Sequence, residues 1–373
     1  MPNMLDYLAW RGDLTLSQHG LCENDFLILS QLSYVAFGPF IPGPGGGSVP
    51  LSEAAEALLA FDPDAEKIHQ TSYLWKNNAK LLSMLPTSRR FGGMPLFAAV
   101  DVMSVQDQKQ FAALSIRLAD GVCISFRGTD DTVIGWKEDL NMAFESPIPA
   151  QVEASAYLAR IAAETSGPLY LTGHSKGGNL AVYAAAHADE SVQRRIVRTI
   201  NHDGPGLDPE TVLSAGYAAI RDRLSVYIPY FSIVGMLLEH EDDYIVVESD
   251  GRLIWQHDAF TWQMRGTGML RAEGPSEASQ NINHILKGWL ETLDYDKRKT
   301  FIEAVFEIIA AQGDNIDLEA SWPVSAQRTI SALLSLEPST RSTFYKLIGD
   351  FLAAAILGRR PARPGREEAG PPG

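Results

Sequence analysis

The chain has 373 residues, 45% hydrophobic and 21% charged, an ordinary globular balance that argues against extensive disorder. A formal charge of −15 and a pI near 5.0 repel phosphate backbones and anionic headgroups at long range, which argues against nucleic acid as a partner. Two cysteines are too few for a disulfide framework, and no apolar run approaches the roughly 20 residues that span a bilayer.

The first residues, Met1-Pro2-Asn3-Met4-Leu5-Asp6, lack the basic start and apolar stretch of a secretory signal, so a cytoplasmic location is expected. Residues 1–90 read as a helical region packed on the core, with helices over 25–37, 52–61 and 71–85. Ser52, followed by Glu53 and Glu56, has the pattern of a helix N-cap. The Gly- and Pro-rich stretch 38–50 reads as a flexible loop, either a plain connector or a candidate lid or edge.

At Phe111 the pattern turns to strands, 111–118 and 122–126, joined by Asp120-Gly121 in a hairpin; the sheet is expected to begin here. Cys123, inside the second strand, reads as a small buried thiol. A helix over 152–165, a strand over 169–171 and a helix over 177–187 follow. Further strands are expected over 198–201, 224–228, 244–248 and 252–255. Strands alternating with helices imply an α/β fold with a mostly parallel sheet covered by helices on both faces. Residues 91–293 would form this core, and 294–358 a C-terminal helical segment with breaks near Asp294, Trp322-Pro323 and Pro338. The Pro-, Gly- and charge-rich residues 359–373 would be a disordered tail.

The central motif is Gly173-His174-Ser175-Lys176-Gly177, a Gly-x-Ser-x-Gly directly after an expected strand and before an expected helix. In that setting Ser175 is lifted off the sheet as a nucleophile, and the amide of Lys176 is aimed at any oxyanion that forms. This is the arrangement of an α/β-hydrolase fold. A second oxyanion donor is sought in Phe126-Arg127-Gly128-Thr129-Asp130-Asp131, with Thr129 as candidate, although Thr129 and Asp130 could equally bond local backbone in a turn.

The fold delivers its triad in the order Ser, acid, His. His202, His240, His257 and His284 follow the nucleophile helix, and His257 lies just past the last expected strand, where the base belongs. For the acid, Asp203 in Asp203-Gly204-Pro205-Gly206 competes with Glu239, Glu241, Asp242 and Asp243. The expected chemistry is hydrolysis of a small-molecule or lipid-like acyl ester without metal or cofactor. The alternatives are an acyltransferase or thioesterase using the same serine, and a non-catalytic interaction protein that kept the fold.

Phe126-Arg127-Gly128-Thr129, Trp136, Asp139-Leu140, Gly173-His174-Ser175 and His257 together resemble the class 3, fungal-type lipases. A bacterial α/β-hydrolase family of unknown function is similar over a longer span, from near Tyr7 to about residue 310. It shares Gly135-Trp136-Lys137-Glu138-Asp139, the run from Gly173 to Ala181, Asp203-Gly204-Pro205-Gly206 and Gln256-His257-Asp258. The resemblance implies an α/β-hydrolase fold and esterase or lipase chemistry, with Ser175 as nucleophile, His257 as base and Thr129 with Lys176 at the oxyanion. Two positions depart from the lipase pattern. Lys176 stands where lipases carry Leu, a cation that either favours an anionic substrate or pairs with Glu138 or Asp139. No carboxylate stands in Tyr230-Phe231-Ser232-Ile233-Val234-Gly235, where lipases place the acid.

Overall fold

The computed structural model describes residues 2–61, 77–129, 145–238, 244–294 and 338–357, with Glu138, Asn141, Met142 and isolated positions between 296 and 336. The tail 359–373, the Trp322-Pro323 break, residues 71–76 and the competitors His240, Glu239, Glu241, Asp242 and Asp243 lie outside the described residues. Among the described residues no helix is long and apolar enough to cross a membrane.

An eight-stranded sheet carries the molecule, its strands in sequence order: β1 (Val49–Pro50), β2 (Pro95–Ser104), β3 (Lys109–Arg117), β4 (Val122–Phe126), β5 (Leu169–His174), β6 (Ile196–His202), β7 (Leu224–Pro229) and β8 (Ile245–Val247). The first four pair antiparallel, and β4 to β8 pair parallel. Among the described residues the helices of six residues or more are α1 (Met4–Arg11), α2 (Glu23–Leu32), α3 (Leu51–Phe61), α4 (Asn78–Met84), α5 (Pro149–Glu164), α6 (Lys176–Ala186), α7 (Ala215–Ile220), α8 (Glu277–Glu291) and α9 (Pro338–Leu357). This mostly parallel sheet with its helices is consistent with the expected α/β-hydrolase fold.

Right-handed crossovers that always step the same way along a sheet put every connecting helix on one face. The helices α5, α6 and α7 accordingly share a core with Val122, Ile124, Phe126, Leu169 and Leu171. The opposite face would be left bare, and α1 to α4 cover it, packing with Leu114, Ile116, Cys123 and Ile200. Both faces are therefore covered, but one of them only because the N-terminal helices double back over it. β4 shows the consequence in its side chains: Val122, Ile124 and Phe126 enter one core, while Cys123 enters the other and Ser125 Oγ reaches Ser30 O of α2 at 3.4 Å.

Several expectations need correction. The sheet begins before Phe111, at β1 and β2. β2 carries a bulge between Phe97 and Val100, with Ala98 at φ 54°, which interrupts the two-residue alternation that would have marked it. Ser52 lies inside α3 and not at its cap, and α2 ends at Leu32, short of Phe37. Residues 252–255 are not a strand: Leu253–His257 is a 3-10 turn in which Leu253 and Ile254 are 63% and 57% exposed. Of the readings for 38–50, the edge is the one seen: the stretch lies along the end of the sheet, through Ala99 N–H to Pro42 O at 3.1 Å and β1 against β2.

Candidate functional site

β5 ends at His174 and α6 starts at Lys176, so Ser175 alone makes the turn between strand and helix. It does so at φ 56°, ψ −135°, a conformation that costs an L-residue on the order of 1–3 kcal/mol and persists only where its surroundings enforce it. Those surroundings are visible. Ser175 N–H donates to His202 O at 2.9 Å, and Ser175 O accepts from Gly178 N–H at 2.8 Å. The glycines on either side are required by contact: a Cβ on Gly173 would stand 2.1 Å from Gly177 O, and one on Gly177 2.1 Å from Phe126 O. Helix, turn and β4 therefore pass at backbone distance, and the Ser175 side chain is left half-buried at the C-terminal edge of the sheet.

The end of β6 arrives beside it. Asp203 sits at φ 53° and is fixed by Asn201, whose side chain accepts Gly204 N–H at 2.7 Å and donates to Gly204 O at 3.1 Å. Asn179 of α6 locks the following turn by donating to Gly206 O at 2.6 Å. The Asp203 carboxylate is buried, and its Oδ2 lies 2.6 Å from His257 Nδ1. Burial pushes this carboxyl up from the usual range, while the charge and hydrogen bond of His257 and the bonds from Ser232 and Gly235 pull it down. The His257 side chain remains 21% exposed, and with Nδ1 engaged its Nε2 is the nitrogen left for a hydroxyl.

His174 ties the His257 loop to the serine turn. Its Nε2 lies 2.8 Å from His257 O, which can only accept, so the proton is on Nε2. Its Nδ1 is then an acceptor facing Tyr34 OH, whose one proton is shared between Nδ1 and His174 O, each at 3.1 Å, and the His174 and His257 rings lie 4.7 Å apart. Burial holds His174 well below the usual histidine range, which keeps it neutral and suits this pattern. Neither Tyr34 nor His174 stood out in the sequence as part of the site, because nothing in local spacing says that α2 crosses over β5.

Of the oxyanion candidates, Lys176 presents a first-turn helix amide beside Ser175. Thr129 is buried next to Gly128, whose added Cβ would be 3.0 Å from Ser175 Cβ. The Lys176 side chain turns away from the site. Its ammonium is fully buried and donates to Glu138 Oε2 at 2.8 Å, Gln110 Oε1 at 2.8 Å and Gln110 O at 3.0 Å. Of the two readings open for Lys176, the structure shows the internal ion pair with Glu138. Asp130, Asp131, Trp136, Asp139 and Leu140 lie outside the described residues.

The remaining histidines stand elsewhere. His202 is buried between Tyr227 and Trp262, its ring on the α2 side of β6, and His284 is exposed on α8. Among the described residues no group of three or more His, Cys, Asp or Glu side chains is disposed to hold a metal ion.

A family model described as Mbeg1-like matches residues 85–307, more than half of the chain. No curated protein matches. Among solved structures, one described as the crystal structure of M37 lipase aligns at 15% identity, covering 90% of this chain and 98% of that one, with a TM-score of 0.34, a likeness too distant to argue from.

Proposed function

The chain belongs to the Mbeg1-like family, and from that premise we propose that it is a serine hydrolase that cleaves a carboxylic ester, with Ser175 as nucleophile, His257 as general base and Asp203 as the acid that orients it. One observation carries this reading: a buried carboxylate 2.6 Å from His257 Nδ1, beside a serine held at φ 56° between a strand and a helix. A serine that merely capped α6 would need neither the strained turn nor the neighbouring Asp–His pair.

In the proposed reaction Ser175 Oγ attacks the acyl carbon as its proton passes to His257 Nε2. The oxyanion is held by the backbone amides of Lys176 and Thr129. Removing one such donor typically costs about 3 kcal/mol of transition-state stabilisation. Collapse expels the alcohol, which takes the proton back from His257. Water then repeats the sequence on the acyl-enzyme. Asp203, ionised and bonded to Nδ1, fixes the tautomer and offsets the imidazolium charge. The internal Lys176–Glu138 pair sets no demand for an anionic substrate, which favours a neutral ester.

The test is labelling of the full-length protein by a fluorophosphonate probe with mass spectrometry of the modified peptide, run beside Ser175→Ala, His257→Ala and Asp203→Ala. Label confined to Ser175 is expected, with none in Ser175→Ala. Turnover of a p-nitrophenyl ester should fall by roughly 10⁴ to 10⁶ in the three variants. Folded parent protein that takes no label would overturn the reading in favour of a non-catalytic protein on this fold. Asp203→Ala within a few fold of the parent would remove Asp203 from the acid role.

A further inference from the structure

A carboxylate has two oxygens, and the imidazole of His257 uses one. The other, Asp203 Oδ1, accepts a 2.6 Å bond from Ser232 Oγ. Ser232 is 2% exposed and stands three residues past β7. The direction of its proton is fixed from both sides. Asp203 as an anion can only accept, and Ser232 Oγ itself accepts from Gly235 N–H at 3.1 Å, so the hydroxyl proton points at the carboxylate. A buried serine serving only its own loop would bond a nearby backbone carbonyl; this one is spent on the acid of the proposed triad.

The segment that carries Ser232 is bonded to three other parts of the molecule. Ser232 N–H donates to Ser279 Oγ of α8 at 3.1 Å, and Ser279 Oγ donates back to Ser232 O. Ser276, just before α8, donates its N–H to Tyr230 O at 2.7 Å. Phe231 N–H donates at 2.8 Å to the side chain of Gln256, the residue before His257. One short loop therefore touches the acid, the base loop and the N-terminal end of α8.

We propose that Ser232 is a positioning residue for the Asp203–His257 pair, and that α8, through Ser279, holds Ser232 in place, so that this helix forms part of the support of the site. The inference rests on the hydrolase reading above. Its physical content is the usual cost of taking the hydroxyl donor from a buried carboxylate that keeps only the Gly235 amide on that side: the anion is destabilised and the carboxyl swings or takes up a proton. The titratable group facing Asp203 is His257, and His174 and Asp258 face His257 in turn. Without the Ser232 proton, Asp203 becomes a better proton holder. Asp203 then takes up its proton at higher pH, and activity on the acid side is lost earlier.

The test uses the full-length protein, the fluorophosphonate probe and p-nitrophenyl acetate, with thermal unfolding run on every variant. Ser232→Ala is expected to lower kcat by about 10- to 100-fold, the range for a bond to a charged group, with KM within about twofold and the acid limb of kcat/KM moved to higher pH. Ser232→Thr, which keeps the hydroxyl, should recover most of the loss. Ser279→Ala, which touches neither Asp203 nor His257, should shift kcat and the acid limb the same way by a smaller factor, and it serves as the readout if Ser232→Ala does not fold. A labelled parent whose Ser232→Ala and Ser279→Ala variants keep both kcat and the acid limb overturns this inference alone. A folded parent that takes no label overturns the hydrolase reading and this inference with it.

Discussion

His202 is fully buried, and burial lowers its pKa to about 3. An unfolded chain binds that proton near pH 6.5. Between about pH 6.5 and 3 the unfolded state therefore holds a proton that the folded state lacks, so stability falls as pH drops through this window and is flat above it. The full shift corresponds to roughly 5 kcal/mol, and His174, also held neutral by burial, adds in the same direction. Urea midpoints measured from pH 6.5 to 4 should show a dependence shallower by up to about one proton in His202→Asn than in the parent. An unchanged slope would mean that this imidazole is hydrated in the folded protein. At this scale the proposed nucleophile Ser175 was marked in the sequence by the two glycines its turn demands, and the proposed base His257 by the chain order expected of a triad. Asp203 was one of five carboxylates in reach of the argument. Ser232 gave no signal, since a serine in an apolar stretch says nothing about what its hydroxyl faces.

The turn at Ser175 is an element-level construction, in which the end of β5, the start of α6 and the end of β4 meet without side chains between them. Gly177→Ala would force a Cβ to 2.1 Å from Phe126 O and 2.9 Å from Gly128 N, both backbone atoms that cannot swing aside. Overpacking typically costs 1–3 kcal/mol where side chains can adjust, and here the cost should be at least about 3. A lowered Tm together with loss of fluorophosphonate labelling is expected, while Gly47→Ala, where a Cβ meets nothing within 4 Å, should leave both unchanged. The element that misled was 252–255, whose Leu253-Ile254-Trp255 run has strand composition. Its backbone is instead pinned as a return turn, by Gly251 N–H to Ser249 Oγ at 3.0 Å and Trp262 Nε1–H to Gln256 O at 2.8 Å. Those bonds run to side chains two and six residues away, and apolar periodicity carries no record of them. That same turn is what brings His257 back over the sheet edge.

Across the whole molecule, stability depends on keeping the N-terminal helices against the otherwise bare sheet face. Asp25 of α2 and Arg90 form a fully buried pair, with Arg90 Nε donating to Asp25 Oδ1 at 2.6 Å and Tyr7 OH donating to the same oxygen at 2.9 Å. The guanidinium also donates to His19 O at 2.9 Å and Gly20 O at 2.8 Å, which closes the loop between α1 and α2. Asp25→Ala strands a buried cation and should cost about 3–5 kcal/mol, whereas Asp25→Ala with Arg90→Met should recover much of that loss. Denaturant midpoints of the two variants decide the matter; equal losses would show that the pair is dispensable as a charge and that its packing alone matters.

Local chemistry was enough to determine that this chain folds as an α/β protein with Ser175 at the turn between a strand and a helix. Hydrophobic period, the strand–turn–helix order and the two glycines are properties of neighbouring residues, and neighbouring residues are what a sequence places side by side. The tertiary structure alone decided that Asp203 meets His257, that Lys176 spends its charge on Glu138 inside the core, and that Ser232 and α8 stand behind the acid. Those pairings join residues 29 to 54 positions apart, and all depend on which strand lies beside which. Strand order is fixed by the handedness of crossovers and by how much apolar surface each face must bury, which are properties of the whole chain.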